Sequence, residues 1–362
     1  MILCANPKEQ YLTHKTEIQN AINKVLESGW YILGQEVKLF ENEFSNFVGT
    51  KYTISVASGT DALFLALKAL NIGTGDEVIT VSHTATATVS AIKATGATPI
   101  MVDIEKEYFT IDIEEVKKRV SNKTKAIIAV HIYGQPCDMD ALIKISNENN
   151  IDIIEDCAQA SGASYKGKEL GSIGTLGCFS FFPTKNLGAI GDGGAITTNC
   201  EKLYNKLLKL RQYGWDENRD SEFSGYNSRL DELQAAILRV KLKYLKQDTK
   251  KRNDIAKLYY EALKNSSLIL PKVRDNCYHS FHLFVVRLKN RNQLKEYLKS
   301  KNILAMIHYE KPVHLQEAFT INHDLNCTEN IAGEILSLPM YPELSEKDIK
   351  YISTKCLEVK ES

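Results

Sequence analysis

From about residue 50 to residue 200, short apolar runs alternate with stretches in which apolar residues recur every three or four positions. "YTISVA" (52–57), "DEVITVS" (76–82), "TPIMVDI" (98–104), "KAIIAVHIY" (125–133) and "IDIIEDC" (151–157) read as strands. Between them, "TDALFLALKAL" (60–70), "TATATVSAIKAT" (84–95) and a segment near 138–149 carry the helical period. Strands that are apolar almost throughout, separated by helices, predict an α/β protein with a mostly parallel sheet covered on both faces. After about residue 200 the pattern changes. "RLDELQAAILRVKLKYLKQDTKKRNDIAKLYYEALKN" (229–265) has neither Gly nor Pro and predicts one long helix leading into a second unit. Beyond it, "HSFHLFVVRL" (279–288), "QLKEYLKS" (293–300) and "EKDIKYISTKCLEV" (346–359) predict a small α+β domain. The expected division is a large domain over 1–245 and a small one over 246–362.

The length of 362 residues suits one large domain plus a smaller one. Lys plus Arg and Asp plus Glu each number 45, so the net charge is zero, and neither a nucleic-acid groove nor an anionic membrane surface is indicated. "MILCANPKEQYLTH" lacks the charged-then-apolar layout of a signal peptide. The longest apolar runs, such as "AIIAVHIY" (126–133), are too short to cross a bilayer, and a cytoplasmic location is expected. The eight cysteines stand singly, with no Cys-x-x-Cys pair and no His–Cys cluster at zinc spacing. Buried free thiols and no metal centre are expected.

Candidate chemistry concentrates in "GCFSFFPTKNLGAIGDGGAITTN" (177–199), where one lysine, Lys185, stands between an apolar strand and a Gly-rich run. Other lysines keep polar company, as in Lys241–Lys243–Lys246. A lysine in an apolar pocket has its pKa lowered by desolvation, which makes the neutral amine available as a nucleophile toward carbonyls. Asp156 ends a buried strand, where ligands bind in open α/β sheets, with Gln159 three residues on. Ser58-Gly59-Thr60 leads a strand into a helix; it serves either as an ordinary cap or as a phosphate cradle. His83 sits at a strand end, either as a structural histidine or as a planar ring to stack on a flat cofactor. Asn227 precedes the long helix and could cap it. A lysine, an acidic partner, a phosphate cradle with Ser180 and a stacking ring together match the needs of pyridoxal phosphate. No P-loop and no Gly-x-Gly-x-x-Gly fingerprint is present.

With these residues in view, the chain resembles the nucleotide-sugar aminotransferases of the DegT–DnrJ–StrS group. The likeness runs nearly end to end, through "ASGTDALFLALKAL", "IIEDCAQASGA", "CFSFFPTKNLGAIGDGGAITTN", "GYNSRLDELQAAIL" and "IHYEKPVHLQEAF". The resemblance implies the type I fold of pyridoxal-phosphate-dependent transferases and an enzyme that becomes pyridoxamine-loaded during turnover. It implies Lys185 as the lysine bonded to the cofactor, Asp156 at the pyridine nitrogen and Gln159 near the ring hydroxyl. Gly59, Thr60 and Ser180 would hold the phosphate, joined by Asn227 of a second copy in a homodimer, and His83 would lie against the ring. The implied substrates are L-glutamate and a nucleotide-linked keto sugar, the product a deoxyamino sugar for surface glycans such as lipopolysaccharide. "HYEKPVHLQEAF" is similar to the segment of enzymes acting at C-3 of dTDP-3-keto-6-deoxyhexoses, which makes His308, Tyr309 and His314 sugar-side candidates, with Tyr213 a further one. Glu310-Lys311 departs from that pattern, and C-4 amination is the alternative. A non-catalytic, regulatory cofactor-binding protein is the reading from another class; the retained Lys185 argues against the lysine-less dehydratase branch.

Overall fold

The computed structural model describes residues 1–321 and 324–359. Its main sheet has seven strands: β1 (Tyr52–Val56), β2 (Glu77–Val81), β3 (Thr98–Val102), β4 (Thr124–Val130), β5 (Asp152–Asp156), β6 (Leu176–Ser180) and β7 (Gly194–Thr198). Their spatial order is β1-β7-β6-β5-β4-β2-β3, all parallel except β7, which runs antiparallel to both neighbours. The central strands are buried on both faces, as in "AIIAV" of β4, so they are apolar throughout rather than alternating. All five strands expected from the apolar runs are present. This topology brings the carboxyl ends of β5 and β6 and the helix start after β1 to one edge of the sheet, where Gly194 pairs with both Val56 and Ser180.

Strand β6 carries the lysine loop, and its alternation does two jobs. Phe179 and Phe181 point into the core and meet the ring of Phe44 edge-on at 4.9 and 5.4 Å. Ser180, between them, points the other way. Phe44 belongs to the helix Gln35–Val48, whose N-cap is Gly34 and so has no side chain to receive the first N–H groups. Glu232 supplies the acceptor from 198 residues away: its carboxylate takes the N–H of Gly34 at 2.8 Å, of Glu36 at 2.8 Å and of Val37 at 2.9 Å.

A second core lies beyond residue 245, where Tyr259, Phe284, Leu294, Leu336 and Ile352 pack together. It is built from the strands Phe284–Arg287 and Ile335–Leu338 and the helices Leu245–Leu263, Arg291–Ser300 and Glu346–Glu358. The single long helix expected over 229–265 is two, Glu232–Leu242 and Leu245–Leu263, with a break at Lys243-Tyr244 that no Gly or Pro announces. The amino terminus joins this second core: Ile2 packs against it, and the Cys4 carbonyl accepts from the Met340 N–H at 3.0 Å. Among the described residues no helix is long and apolar enough to cross a membrane.

Candidate active site

A cavity of about 460 Å³ opens at the carboxyl edge of the sheet, and Gly59, Thr60, Asp156, Gln159, Ser180 and Lys185 all line it. That volume is within the range of a small-molecule or cofactor site. Lys185 is held there by a closed loop. The Lys185 N–H bonds the Phe182 carbonyl at 2.9 Å, and the Ala189 N–H returns to the Phe181 carbonyl at 2.7 Å. A Cβ at position 188 would lie 2.4 Å from the Pro183 carbonyl oxygen, so the loop closes this tightly only with glycine. The Lys185 amine has no hydrogen-bond acceptor among the described residues. Burial pushes its pKa down to about 8, while the charge of Asp156 acts in the opposite direction. Asp156 is buried too, which raises its pKa; against that, its Oδ2 accepts from Thr88 Oγ1 at 2.9 Å and its Oδ1 from the Ala158 N–H at 3.1 Å.

Lys241, read from the sequence as one of a polar set, is also buried, with its pKa lowered by burial to about 8. Its amine is already committed, donating to Gln10 Oε1 at 2.9 Å and to the Gly188 carbonyl at 2.6 Å. Lys241 therefore braces the loop from behind, and Lys185 is the amine left free for chemistry.

Opposite the lysine, the helix Gly59–Ala69 begins with Ser58 as N-cap, its hydroxyl accepting from the Asp61 N–H at 3.1 Å. The Gly59 and Thr60 N–H groups remain without intrahelical acceptors at the cavity wall. A Cβ on Gly59 would sit 2.6 Å from Ser180 Cβ, so glycine is what lets the Ser180 hydroxyl approach this helix end. Free N–H groups, a hydroxyl and the positive end of a helix make an anion cradle of phosphate size. Lysine, carboxylate and cradle on the walls of one cavity fit pyridoxal phosphate.

Gln159 is fixed from both ends: its Oε1 accepts from the Tyr133 N–H at 2.6 Å and its Nε2 donates to Tyr309 Oη at 3.0 Å. His308 and Tyr309 line the cavity, and the pKa of His308 is lowered to about 4 by burial with Lys185 adding to the effect. Three other expected residues do not line this cavity. His83 lies behind the wall, 1% exposed, with Nε2 2.7 Å from Tyr133 Oη; Tyr133 Oη in turn donates to the His308 carbonyl. Its ring supports the His308 segment, and Ala85, two residues on, faces the cavity instead. His314 is buried with both ring nitrogens engaged, Nδ1 with Ser82 Oγ at 2.6 Å and Nε2 with Glu329 at 3.1 Å, so it pins its segment to the end of β2. Tyr213 is 39% exposed outside the cavity, tilted against Trp215 at 4.9 Å. Asn227 is exposed and does not line the cavity of its own chain; its backbone bridges to Gln212. Sequence reasoning missed Thr88 and His282, and the apolar lining from Cys4 and Met306. A histidine directly before the apolar run "LFVV" was the one available signal for His282.

The fold and this site define a pyridoxal-phosphate-dependent transferase of fold type I. The family model described as the DegT/DnrJ/EryC1/StrS aminotransferase family matches residues 13–357, and the chain belongs to that family. It is a pyridoxal-phosphate-dependent aminotransferase. A dTDP-3-amino-3,6-dideoxy-alpha-D-galactopyranose transaminase from Aneurinibacillus thermoaerophilus is 48% identical over 94% of each chain. A UDP-N-acetyl-3-dehydro-alpha-D-glucosamine 3-aminotransferase from Acidithiobacillus ferrooxidans is 41% identical, over 94% of this chain and 93% of that one. The solved structure of DesV from S. venezuelae superposes with a TM-score of 0.96 at 39% identity, over 99% of this chain and 98% of that one.

Proposed function

We propose that this protein transfers an amino group from L-glutamate to C-3 of a dTDP-linked 3-keto-6-deoxyhexose. The observation that carries the choice of carbon is that similar proteins acting on different nucleotides, dTDP and UDP, both have position 3 in their names. The greater identity to the dTDP-sugar relative favours dTDP and a 6-deoxy sugar.

Bound pyridoxal phosphate supplies an aldehyde for the amine of Lys185 and an electron-withdrawing ring that stabilises negative charge on the substrate carbon. Lys185, with its pKa lowered by burial, would be the residue that holds the cofactor covalently, and its freed amine would be the group to hold and move a proton at the substrate carbon. Asp156 would be the partner of the ring nitrogen, and Thr88 and the Ala158 N–H hold its carboxylate in place. Gly59, Thr60 and Ser180 would hold the phosphate, and Gln159 would stand near the ring hydroxyl. His308 and Tyr309 stand on the sugar side.

Asn227 completes the phosphate site of a second copy in a homodimer. Large apolar side chains exposed around the start of the helix Glu232–Leu242 support that assembly: Trp30 at 64%, Tyr31 at 49%, Ile32 at 42% and Ile190 at 47% exposure. Tyr31 and Ile32 run alongside Glu232 and Asp231, and Ile190 pairs through its backbone with Gln234.

The test is a single-turnover assay of the pyridoxamine-loaded enzyme with dTDP-3-keto and dTDP-4-keto 6-deoxyhexoses offered in turn, read by the return of the lysine-bound cofactor's absorbance. Recovery with the 3-keto sugar alone is expected. Recovery with only the 4-keto sugar would move the reaction to C-4, and recovery with neither would point to a different acceptor. Mixing inactive Lys185→Ala and Asn227→Ala chains tests the shared site: regained activity is expected, and none would mean each chain is self-sufficient.

A further inference from the structure

Tyr133 is buried and does not line the cavity, yet each of its polar groups ends on a residue that does. Its N–H donates to Gln159 Oε1 at 2.6 Å, its carbonyl accepts from the Leu283 N–H at 3.3 Å, and its hydroxyl donates to the His308 carbonyl. Gln159 is 26 positions away along the chain and His308 is 175. The hydroxyl has one proton and a carbonyl can only accept, so the contact with His83 Nε2 at 2.7 Å runs from the ring N–H to Oη. The phenol ring stands edge-on to His83 and to Phe109, both with centroids 5.8 Å away, which fixes the direction of Oη. The backbone of Tyr133 has φ 60° and ψ 0°, in the left-handed region that a bulky side chain seldom adopts. Such a conformation persists only where its surroundings over-determine it, as these bonds do, and it clusters where a site needs fixed geometry.

The wall at His308 grows from the second core. Met306 and Ser337 exchange both backbone hydrogen bonds, at 3.1 and 2.7 Å, and His308 Nδ1 lies 2.9 Å from Ser337 Oγ. Tyr133, just beyond strand β4, grips this wall from the side of the main sheet. The contacts close on themselves. From the Tyr133 N–H they pass to Gln159, from Gln159 Nε2 to Tyr309 Oη at 3.0 Å, along the chain to His308, and back to Tyr133 Oη.

We propose that Tyr133 is a positioning residue for the sugar half of the reaction: by closing this ring it sets the spacing between Gln159, on the cofactor side, and the His308–Tyr309 wall, on the sugar side. This rests on the assignment of those two sides given above. A small amino acid can react at the cofactor without reaching across the cavity. A nucleotide sugar must seat a pyranose ring against the far wall, so a loosened wall weakens its half of the reaction selectively.

Tyr133→Phe is the test variant, because it keeps the ring and both backbone bonds and removes only Oη. Hydrogen exchange of the cofactor-loaded enzyme, followed by mass spectrometry, reads the wall with no substrate present. Peptides covering 305–312 are expected to exchange several-fold faster than in the native protein, and those covering 157–163 to stay unchanged. Single-turnover rates then separate the two halves. The nucleotide keto sugar concentration for half-maximal rate is expected to rise about tenfold, and that of L-glutamate to change by less than about twofold. Unchanged exchange over 305–312, or equal losses in both halves, overturns the proposal. A wrong choice of sugar shows instead in the native enzyme, as no recovery with either compound, and the exchange result then decides alone. Should Tyr133→Phe fail to fold, His83→Leu, which withdraws the N–H that orients the phenol, is measured the same way and held to the same outcomes.

Discussion

Replacing Lys185 with Met should make the cofactor-free protein more stable at neutral pH. The pKa of the amine falls from 10.5 to about 8 because burial disfavours its charge. At 1.36 kcal/mol per unit, holding the ammonium there costs about 3 kcal/mol at pH 7. Water in the cavity relieves part of that, so the expected gain is about 1–2 kcal/mol. The pH dependence has a definite sign. In the unfolded chain the lysine keeps its proton up to about pH 10.4, and in the folded chain it loses it above about 8. Between these values the unfolded state binds more protons, so native stability rises with pH across that window. The methionine variant lacks this dependence, so its advantage is complete below about pH 8 and gone above about 10.5. Thermal unfolding of both proteins without cofactor, at matched protein concentration and several pH values, measures it. A variant no more stable than the native chain at pH 7, or an advantage that grows with pH, would refute the claim that Lys185 is held against its own charge. Catalysis in exchange for stability is the expected pattern for an amine kept ready for an aldehyde.

Other expectations follow from the same geometry. Asp156→Asn should lower turnover by about 100-fold or more while cofactor still attaches to Lys185, measured as kcat beside the visible absorbance. Gly59→Ala, which forces a Cβ to within 2.6 Å of Ser180 Cβ, should weaken retention of pyridoxal phosphate on dialysis; unchanged retention would remove the cradle from this helix end. Phe44→Ala should cost about 3–5 kcal/mol in unfolding experiments, because the ring is fully buried against Phe179 and Phe181. His314→Leu removes the ring that links the Ser82 hydroxyl to the Glu329 carboxylate, leaving each only a backbone N–H as donor, and should raise the KM for the nucleotide sugar more than that for the amino donor.

The sheet and the lysine were legible in the sequence for physical reasons. Strands buried on both faces must be apolar throughout, and a loop that leaves no room for a Cβ at position 188 must have glycine there, so "AIIAV" and "KNLGAIGDGG" both stand out. What failed were judgements of direction at strand ends. His83 and Ala85 are two residues apart, yet one is behind the wall and the other faces the cavity, because the chain leaves the strand there and its two-residue period no longer applies. His314 carried the look of a ligand, but both nitrogens were consumed by Ser82 and Glu329, partners 232 and 15 residues away. The break at Lys243-Tyr244 and the burial of Lys241 depend on tertiary packing that local composition does not encode. Thr88, Cys4 and Met306 reach the cavity from three distant parts of the chain, and no local pattern marks them.

The carboxylate of Glu232 at the head of the helix Gln35–Val48 has a consequence in time. Emerging from a ribosome, that helix has its leading N–H groups solvated until nearly 200 further residues have been made. Strand β1, which pairs only with β7, waits in the same way for residues 194–198. The segment synthesised first is therefore among the last parts of the sheet unit to settle, and contacts spanning such separations slow folding. A nascent chain stalled before residue 232 would carry the apolar face of Phe40 and Phe44 without its cap, a state suited to chaperone capture, and Phe181 at the root of the lysine loop would rest on an unsettled helix.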